Sequence, residues 1–512
     1  MLTHPRAPFD TAAMGRPPSP RLGDPRPHAI VIGAGFGGLA AAIRLGARGY
    51  RVSVIDRLDS PGGRGTAFRQ DGFTFDAGPT LVTAPYLFEE LWSLCGKRMA
   101  DHVDLRPLDP FYRIFFDDGE TFTCRPDRAA MEAEIGRISP RDLDGYRRFM
   151  SDAEERFHIG FERMSAITVD RFADMIPWLW DLVRLRADRS VHAHAAARMR
   201  HPHLRAALSF HPLFIGGDPF RVTSIYSLVS YLESAFGVHY CMGGTNALAS
   251  AMADLVEDQG GVIHYGVEID EILVREGRAV GVRTAEGTER SADIVVSNAD
   301  AAWTYQHLLK SPRKRWTDGK LARRDYSMSL FVWYFGTDRQ WPEVPHHSIV
   351  MGPRYSELIK DIFRRGRLAD DFSIYLHRPT ATDPSVAPPG HDAFYALVPV
   401  PHLGFGHDWG QEAERYRGLL ERRLEETVLP GLSGSVVSEC LMTPEGFRDR
   451  YLSPHGVGFS LEPTLFQSAW FRPHNRSEEV ERLYLVGAGT HPGAGLPGVV
   501  TSARLLDTVV PH

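Results

Sequence analysis

What this chain has little of narrows the field first. Its 512 residues include four cysteines, and Cys95, Cys124, Cys241 and Cys440 stand far apart. No CxxC or Cys/His ligand spacing occurs, which argues against a zinc site, a redox dithiol or a disulfide framework and for a reducing cytoplasm. No apolar run reaches the length of about eighteen residues that a bilayer span needs. There is no basic excess: the formal net charge is −6, so nucleic acid is not an expected partner. Residues 1–27 are crowded with proline and lack the apolar core of a secretory signal. They read as a disordered leader outside the fold, with Met14 an alternative start. What remains, 43% hydrophobic and 24% charged residues, describes a globular chain long enough for two or three domains.

The front carries the clearest pattern, "HAIVIGAGFGGLAAAIRLGARGYRVSVIDR", from His28 to Arg57. Ala29–Ile32 is the continuous apolar run of a buried parallel strand. Gly33, Gly35 and Gly38 follow in GxGxxG spacing and open an Ala/Leu-rich helix; Ala34, Phe36 and Gly37 fill the intervening positions. A second strand, Arg51–Ile55, ends at Asp56, where a carboxylate can accept hydrogen bonds from an adenosine ribose. The first glycine permits the tight turn, the second lets backbone approach a pyrophosphate, and the third lets the helix pack close on the strand. Strand, helix, second strand and terminal acid together predict dinucleotide binding. Arg57, then "DSPGGRG" with Gly62, Gly63 and Arg64, and "FTFDAGPT" with Gly78, Pro79 and Thr80, follow directly.

The far end raises a different question. "YLVGAGTHPGAGLPGVVTSA", Tyr484–Ala503, reads as a strand, a glycine loop and a helix starting near Pro497. It holds no Lys, Arg, Asp or Glu, so this helix N-terminus faces something other than a phosphate with its lysine. Between the two ends, Tyr240–Asp300 predicts a helix over about 246–258 and four short strands, a return to the nucleotide-binding layer after a long excursion.

The GGR segment after the second strand resembles the flavoprotein superfamily of amine oxidases, protoporphyrinogen oxidase and carotenoid desaturases, and it makes FAD the expected cofactor rather than NAD. "SFHPLFIGGDPF", "SAWFRPHNRSEE", "FDAGPT" and the C-terminal glycine loop are similar to bacterial phytoene desaturases, from about His28 to near the C-terminus. That resemblance implies backbone of Val267 against the adenine. It also implies that the Gly487 loop and the following helix approach the isoalloxazine, with Gly498 and Val499 donating backbone N–H to the flavin edge that gains charge on reduction. The implied fold class is α/β. A Rossmann-like FAD-binding domain of the amine-oxidase/phytoene-desaturase type would comprise residues 28–135, 237–300 and 475–512. A helical membrane-facing insertion would span 136–236, and a mixed-sheet substrate domain 301–474.

The implied reaction is stepwise desaturation of 15-cis-phytoene, and the wider partners are other C40 carotenes. An allylic hydride goes to flavin and a neighbouring proton is lost, giving neurosporene or lycopene. Roughly forty carbons at about 0.8 kcal/mol each favour lipid by about 30 kcal/mol, so substrate must come from a membrane lipid surface and the enzyme should be cytoplasmic and membrane-peripheral. The candidate docking segment is Asp174–Arg205, where Trp178 and Trp180 stand in an apolar patch followed by six arginines against the single acid Asp188. Asp174 is the candidate proton acceptor, against the alternative of a capping carboxylate. His491 and His211 are weighed as loop and core residues. No metal site is expected, and electrons leave to an external acceptor, oxygen or a quinone. The rival readings are another carotenoid desaturase, a carotene isomerase, a non-catalytic isoprenoid-binding protein of the same fold, and an amine oxidase.

Overall fold

The structure is a computed structural model and describes residues 25–511; the expected leader lies almost wholly outside them. Strand β1 (His28–Ile32), helix α1 (Phe36–Ala47) and strand β2 (Arg51–Ile55) form one βαβ unit. Every residue of β1 after His28 is buried, as befits a strand covered on both faces. It occupies the centre of a five-stranded parallel sheet in the order Val262–His264, β2, β1, Ile294–Ser297, Leu483–Leu485. Three separate stretches of chain therefore build one layer.

Alternation along β1 decides what covers each face. Ala29 and Val31 point toward α1 and the helices Thr245–Asp258 and Leu496–Arg504. Ile30 and Ile32 point toward an antiparallel meander of Ile269–Arg275, Arg278–Thr284 and Glu289–Ser291. Within α1, Leu39–Ile43 is fully buried, and the small alanines let neighbouring helices close on it.

A second sheet has seven strands in the order Val436–Met442, Ser329–Thr337, Asp392–Val400, Ile374–His377, His347–Val350, Tyr112–Phe115, Thr121–Cys124. All neighbours run antiparallel except His347–Val350 with Tyr112–Phe115. The nine residues of Ser329–Thr337 are all buried. The expected front boundary at residue 135 is corrected here. Tyr112–Phe115 buries Tyr112 and Ile114 on one face, and it finds its partners in the substrate sheet, not in the nucleotide layer.

A mainly helical region opens with Arg128–Ile138 and closes with Leu228–Phe236. Between them the chain over 157–178 departs from regular α-geometry. It passes through a π-turn at Phe157–Met164 and a 3₁₀ segment at Phe172–Trp178 before a short helix at Leu179–Arg184. Pro177 sits inside the 3₁₀ segment and, lacking an N–H, breaks a continuous α-helix there. No helix among the described residues is long and apolar enough to cross a membrane.

Candidate active site

A cavity of about 750 Å³ opens at the C-terminal ends of β1 and β2 and extends under the helical region. Gly33, Gly35, Phe36, Gly37, Asp56, Arg57, Gly62, Gly63, Arg64, Gly78, Pro79, Thr80, Val267, Gly487, Gly498 and Val499 all line it. Of the expected cofactor residues, Ala34 and Gly38 stand behind this wall. Ala34 spends its N–H on the Asp56 carboxylate (2.6 Å) and its carbonyl on Gly62 N–H (2.8 Å). A Cβ on Gly38 would overlap the Gly33 carbonyl oxygen, so the third glycine serves helix–strand contact.

The start of α1 is bare. Gly35 offers no side-chain cap and the first turn holds no acid, so its unpaired N–H groups face the cavity. Gly62 and Gly63 adopt φ of +114° and +58°, a region that favours glycine, and this fold lays the GGR loop against Gly35. Asp56 accepts from Ala34 N–H with Oδ2 and from Leu58 N–H (2.7 Å) with Oδ1. Burial raises its carboxyl above the usual range, against the pull of those two N–H groups. Each oxygen keeps a lone pair for a further donor. Arg57 is turned elsewhere, donating to the Asp449 and Arg450 carbonyls (2.7 and 3.0 Å) and to Glu268 (3.3 Å). Val267 N–H donates to the Asp56 carbonyl (2.9 Å), which leaves its carbonyl and side chain for the cavity.

At the opposite wall, the helix Leu496–Arg504 starts at Gly495, again with no side-chain cap and no acid in its first turn. Val499 N–H closes the first turn on the Gly495 carbonyl (2.9 Å). This corrects the expectation of a Val499 donor: Pro497 has no N–H, so Leu496 and Gly498 supply the free ones. Arg472 holds the loop from beneath, donating to the Ala488 and Leu461 carbonyls (2.7 and 3.2 Å). Burial lowers His491 to about 4, so it is neutral in the wall.

Asn298, Ala299 and Asp300 also line the cavity and were missed in the sequence. Asn298 N–H donates to the Ile32 carbonyl (2.8 Å), and a Cβ on Gly37 would come within 2.5 Å of its Oδ1. The signal was available: "SNAD" ends a parallel strand beside β1, at the point where strand order reverses and such sheets bind ligands.

Asp174 stands outside the cavity lining. Its Oδ2 accepts Arg171 N–H (2.8 Å) and its carboxylate pairs with the Arg171 side chain. It is a capping carboxylate, which corrects its candidacy as proton acceptor. His211 is buried in the core side of the wall, with Nε2 2.9 Å from the Tyr112 hydroxyl.

The far part of the lining is hydrocarbon: Phe172, Met175, Leu179, Leu182, Leu213 and Phe214, with Leu465, Phe466 and Phe471 across from them. Three of these reach the surface, Phe466 at 68% exposed, Phe172 at 51% and Leu179 at 46%, and beside them outside the lining stand Trp180, Val183 and Ile176, more than half exposed. Phe172 stacks edge-on to Trp470, and Trp470 to Phe471, which also meets Phe466. The basic stretch that follows is less bare than its sequence implies, since acids within the segment and acids from the helix before it answer it. Arg184 pairs with Glu155 and Asp181, Arg186 with Asp188, and Arg198 with Asp152.

These features fit a flavin dinucleotide. Two uncapped helix N-termini face one cavity, one suited to a pyrophosphate and one to an electron-rich ring edge. Arg64 Nε and Asp300 Oδ2, on two residues that line the cavity, are buried without a hydrogen-bond partner among the described residues. Burial lowers Arg64, and Asp300 pulls it back up.

Comparison with known proteins agrees. The model of the family "Flavin containing amine oxidoreductase" matches residues 36–505. The chain is 55% identical over 491 residues to the neurosporene-forming phytoene desaturase of Rhodobacter capsulatus, covering 94% of each chain. It is 46% identical to the lycopene-forming phytoene desaturase of Pseudescherichia vulneris, over 93% of this chain and 97% of that one. Among solved structures, putrescine oxidase bound to putrescine superposes with a TM-score of 0.63 at 14% identity, covering 95% of this chain and 99% of the other, a likeness of fold. The chain is an FAD-dependent oxidoreductase and belongs to the flavin-containing amine oxidoreductases, within the bacterial phytoene desaturase family.

Proposed function

We propose that the protein desaturates 15-cis-phytoene stepwise to neurosporene or lycopene in carotenoid biosynthesis. The observation that carries this reading is the continuity of the cavity, which joins a cradle of backbone donors to a hydrocarbon-lined passage ending at exposed aromatic and aliphatic side chains. Bound FAD supplies the two-electron acceptor. The protein's own residues do the rest: Gly35, Gly63 and Arg64 hold the dinucleotide, Leu496 and Gly498 present N–H groups to the ring, and the Leu/Phe/Met walls align the polyene and exclude water. Val267 and Asp56 address the adenosine half.

The exposed patch over 172–183, with Phe466, is the membrane-docking surface. Trp180 and Phe466 sit where a hydrocarbon could pass from lipid into the cavity without crossing water. The FAD-binding domain is discontinuous, drawn from the front, the middle and the tail of the chain. Electrons pass to an external acceptor, oxygen or a membrane quinone.

Purified holoenzyme incubated with phytoene in liposomes should yield polyenes with longer conjugation, read by chromatography with absorbance detection. Release of isomerised phytoene alone, or no change, would overturn the reading.

A further inference from the structure

Oxidising a C–H pair needs a destination for the proton, and the hydrocarbon walls offer few. Four carboxylates line the cavity: Asp56, Glu233, Glu268 and Asp300. Asp56 is held by two backbone N–H groups, and Glu268 faces Arg57 at 3.3 Å. Asp300 accepts Ala302 N–H (2.9 Å) as a helix cap and sits in the field of Arg64. All three belong to the nucleotide end.

Glu233 does not. It stands on the helix Leu228–Phe236, 4% exposed, in the stretch of lining that includes Phe210, Leu213 and Leu232. Its Oε2 accepts the Tyr112 hydroxyl (2.9 Å) and lies 3.3 Å from His211 Nε2. No hydrogen bond to a described residue engages Oε1, and no Lys or Arg among the described residues pairs with the carboxylate. One oxygen is thus fixed from behind and the other is left for the cavity. A carboxyl group in an apolar chamber is costly, and here it has two dedicated partners holding it in place.

We infer that Glu233 is the proton acceptor of the desaturation, a role that rests on the function proposed above. One allylic C–H bond breaks with its electron pair leaving as hydride to the oxidised flavin. The adjacent carbon gives its proton to Glu233 Oε1, and the electrons of that C–H bond become the new C=C bond. Two electrons and one hydrogen go to the flavin and one proton to the carboxylate, so the step balances. Before the proton leaves, the substrate carries allylic positive charge. A carboxylate facing it across hydrocarbon stabilises that charge far more than water would allow. Tyr112 and His211 are positioning residues.

The test uses holoenzyme carrying Glu233→Gln, which keeps size and shape but can neither take the proton nor bear charge. FAD absorbance should be retained and desaturation should fall by about 100-fold or more. A second arm is independent of turnover and reads the binding of N,N-dimethyloctadecylamine against octadecane, by displacement of a fluorescent polyene. The ammonium, a mimic of the cation, should bind wild type about tenfold more tightly than the hydrocarbon, and E233Q should lose that preference. Wild-type rates in E233Q, or the absence of an amine preference in wild-type protein, would overturn the assignment. If wild type itself makes no desaturated product, the proposed function fails, while the amine preference still reports the carboxylate.

Discussion

Gly38 and Trp180 mark opposite ends of one ligand-binding system and make opposite demands. At Gly38 there is no room for a single carbon, because the Gly33 carbonyl already fills the space. At Trp180 a whole indole stands 74% exposed in the fold as described. The nucleotide end is specified by what cannot be present; the mouth is specified by surface that awaits a partner. The first kind of constraint is intramolecular and set by sterics. The second lies outside the molecule, in the solvent it meets.

The sharpest way to break this comparison is Gly38→Val. The β-branched side chain should separate α1 from β1 at a cost of about 3 kcal/mol or more. Purified protein is then expected without flavin absorbance and with an earlier thermal transition. A normally loaded flavoprotein would show that close approach at Gly38 is dispensable. Trp180→Ser should do the reverse. Losing about 2 kcal/mol of apolar transfer is expected to lower liposome partitioning roughly 30-fold in a flotation assay, with the FAD content untouched. Trp178 should matter less, since it is half-buried under Arg163, whose guanidinium lies 4.9 Å from the ring centre; a W178S loss equal to that of W180S would refute the exposed-patch geometry.

A smaller effect probes the loop that joins strand Phe73–Asp76 to the cradle. Asp76 is buried and accepts Thr245 N–H and Oγ1 (3.0 and 3.2 Å). Burial pushes its carboxyl up from 3.8 to about 7. The folded chain therefore holds that proton more tightly than the unfolded one, and the stability it contributes is present at low pH and lost as pH rises from about 4 through about 7. Buried histidines work in the opposite sense at lower pH: burial drops His346 to about 3 and His491 to about 4. Calorimetry between pH 6.5 and 8 separates the two. Over that window Asp76→Asn should gain a few degrees of melting temperature relative to wild type; parallel curves would remove Asp76 as the source.

The same contrast explains what could be read in advance. Glycines at 33, 35, 38, 62 and 63 carry meaning residue by residue, because each marks a place where backbone must come close or turn left-handed. The βαβ unit, the parallel layer and most of the cavity lining were therefore legible. Tyr112–Phe115 was not, since an alternating strand says which face is buried but not which sheet it will join. Asp174 was misread because a carboxylate near an apolar segment serves equally well as a cap and as a base. Only the short 3₁₀ turn at Phe172–Trp178, with Arg171 at its head, decides between them. Asn298 escaped because a single polar residue after a strand has no pattern of its own. Glu233 escaped because its partners, Tyr112 and His211, lie 121 and 22 residues away in the chain.

The parallel layer takes its strands from residues 28, 51, 262, 294 and 483 onward, and the last wall of the flavin cradle is the helix Leu496–Arg504. During synthesis the central strand gains its second neighbour only when Ile294–Ser297 emerges, and the edge strand Leu483–Leu485 and the helix behind it follow later still. Cofactor capture is the closing event of assembly, and the greasy mouth over 172–183 emerges long before there is a flavin behind it to serve.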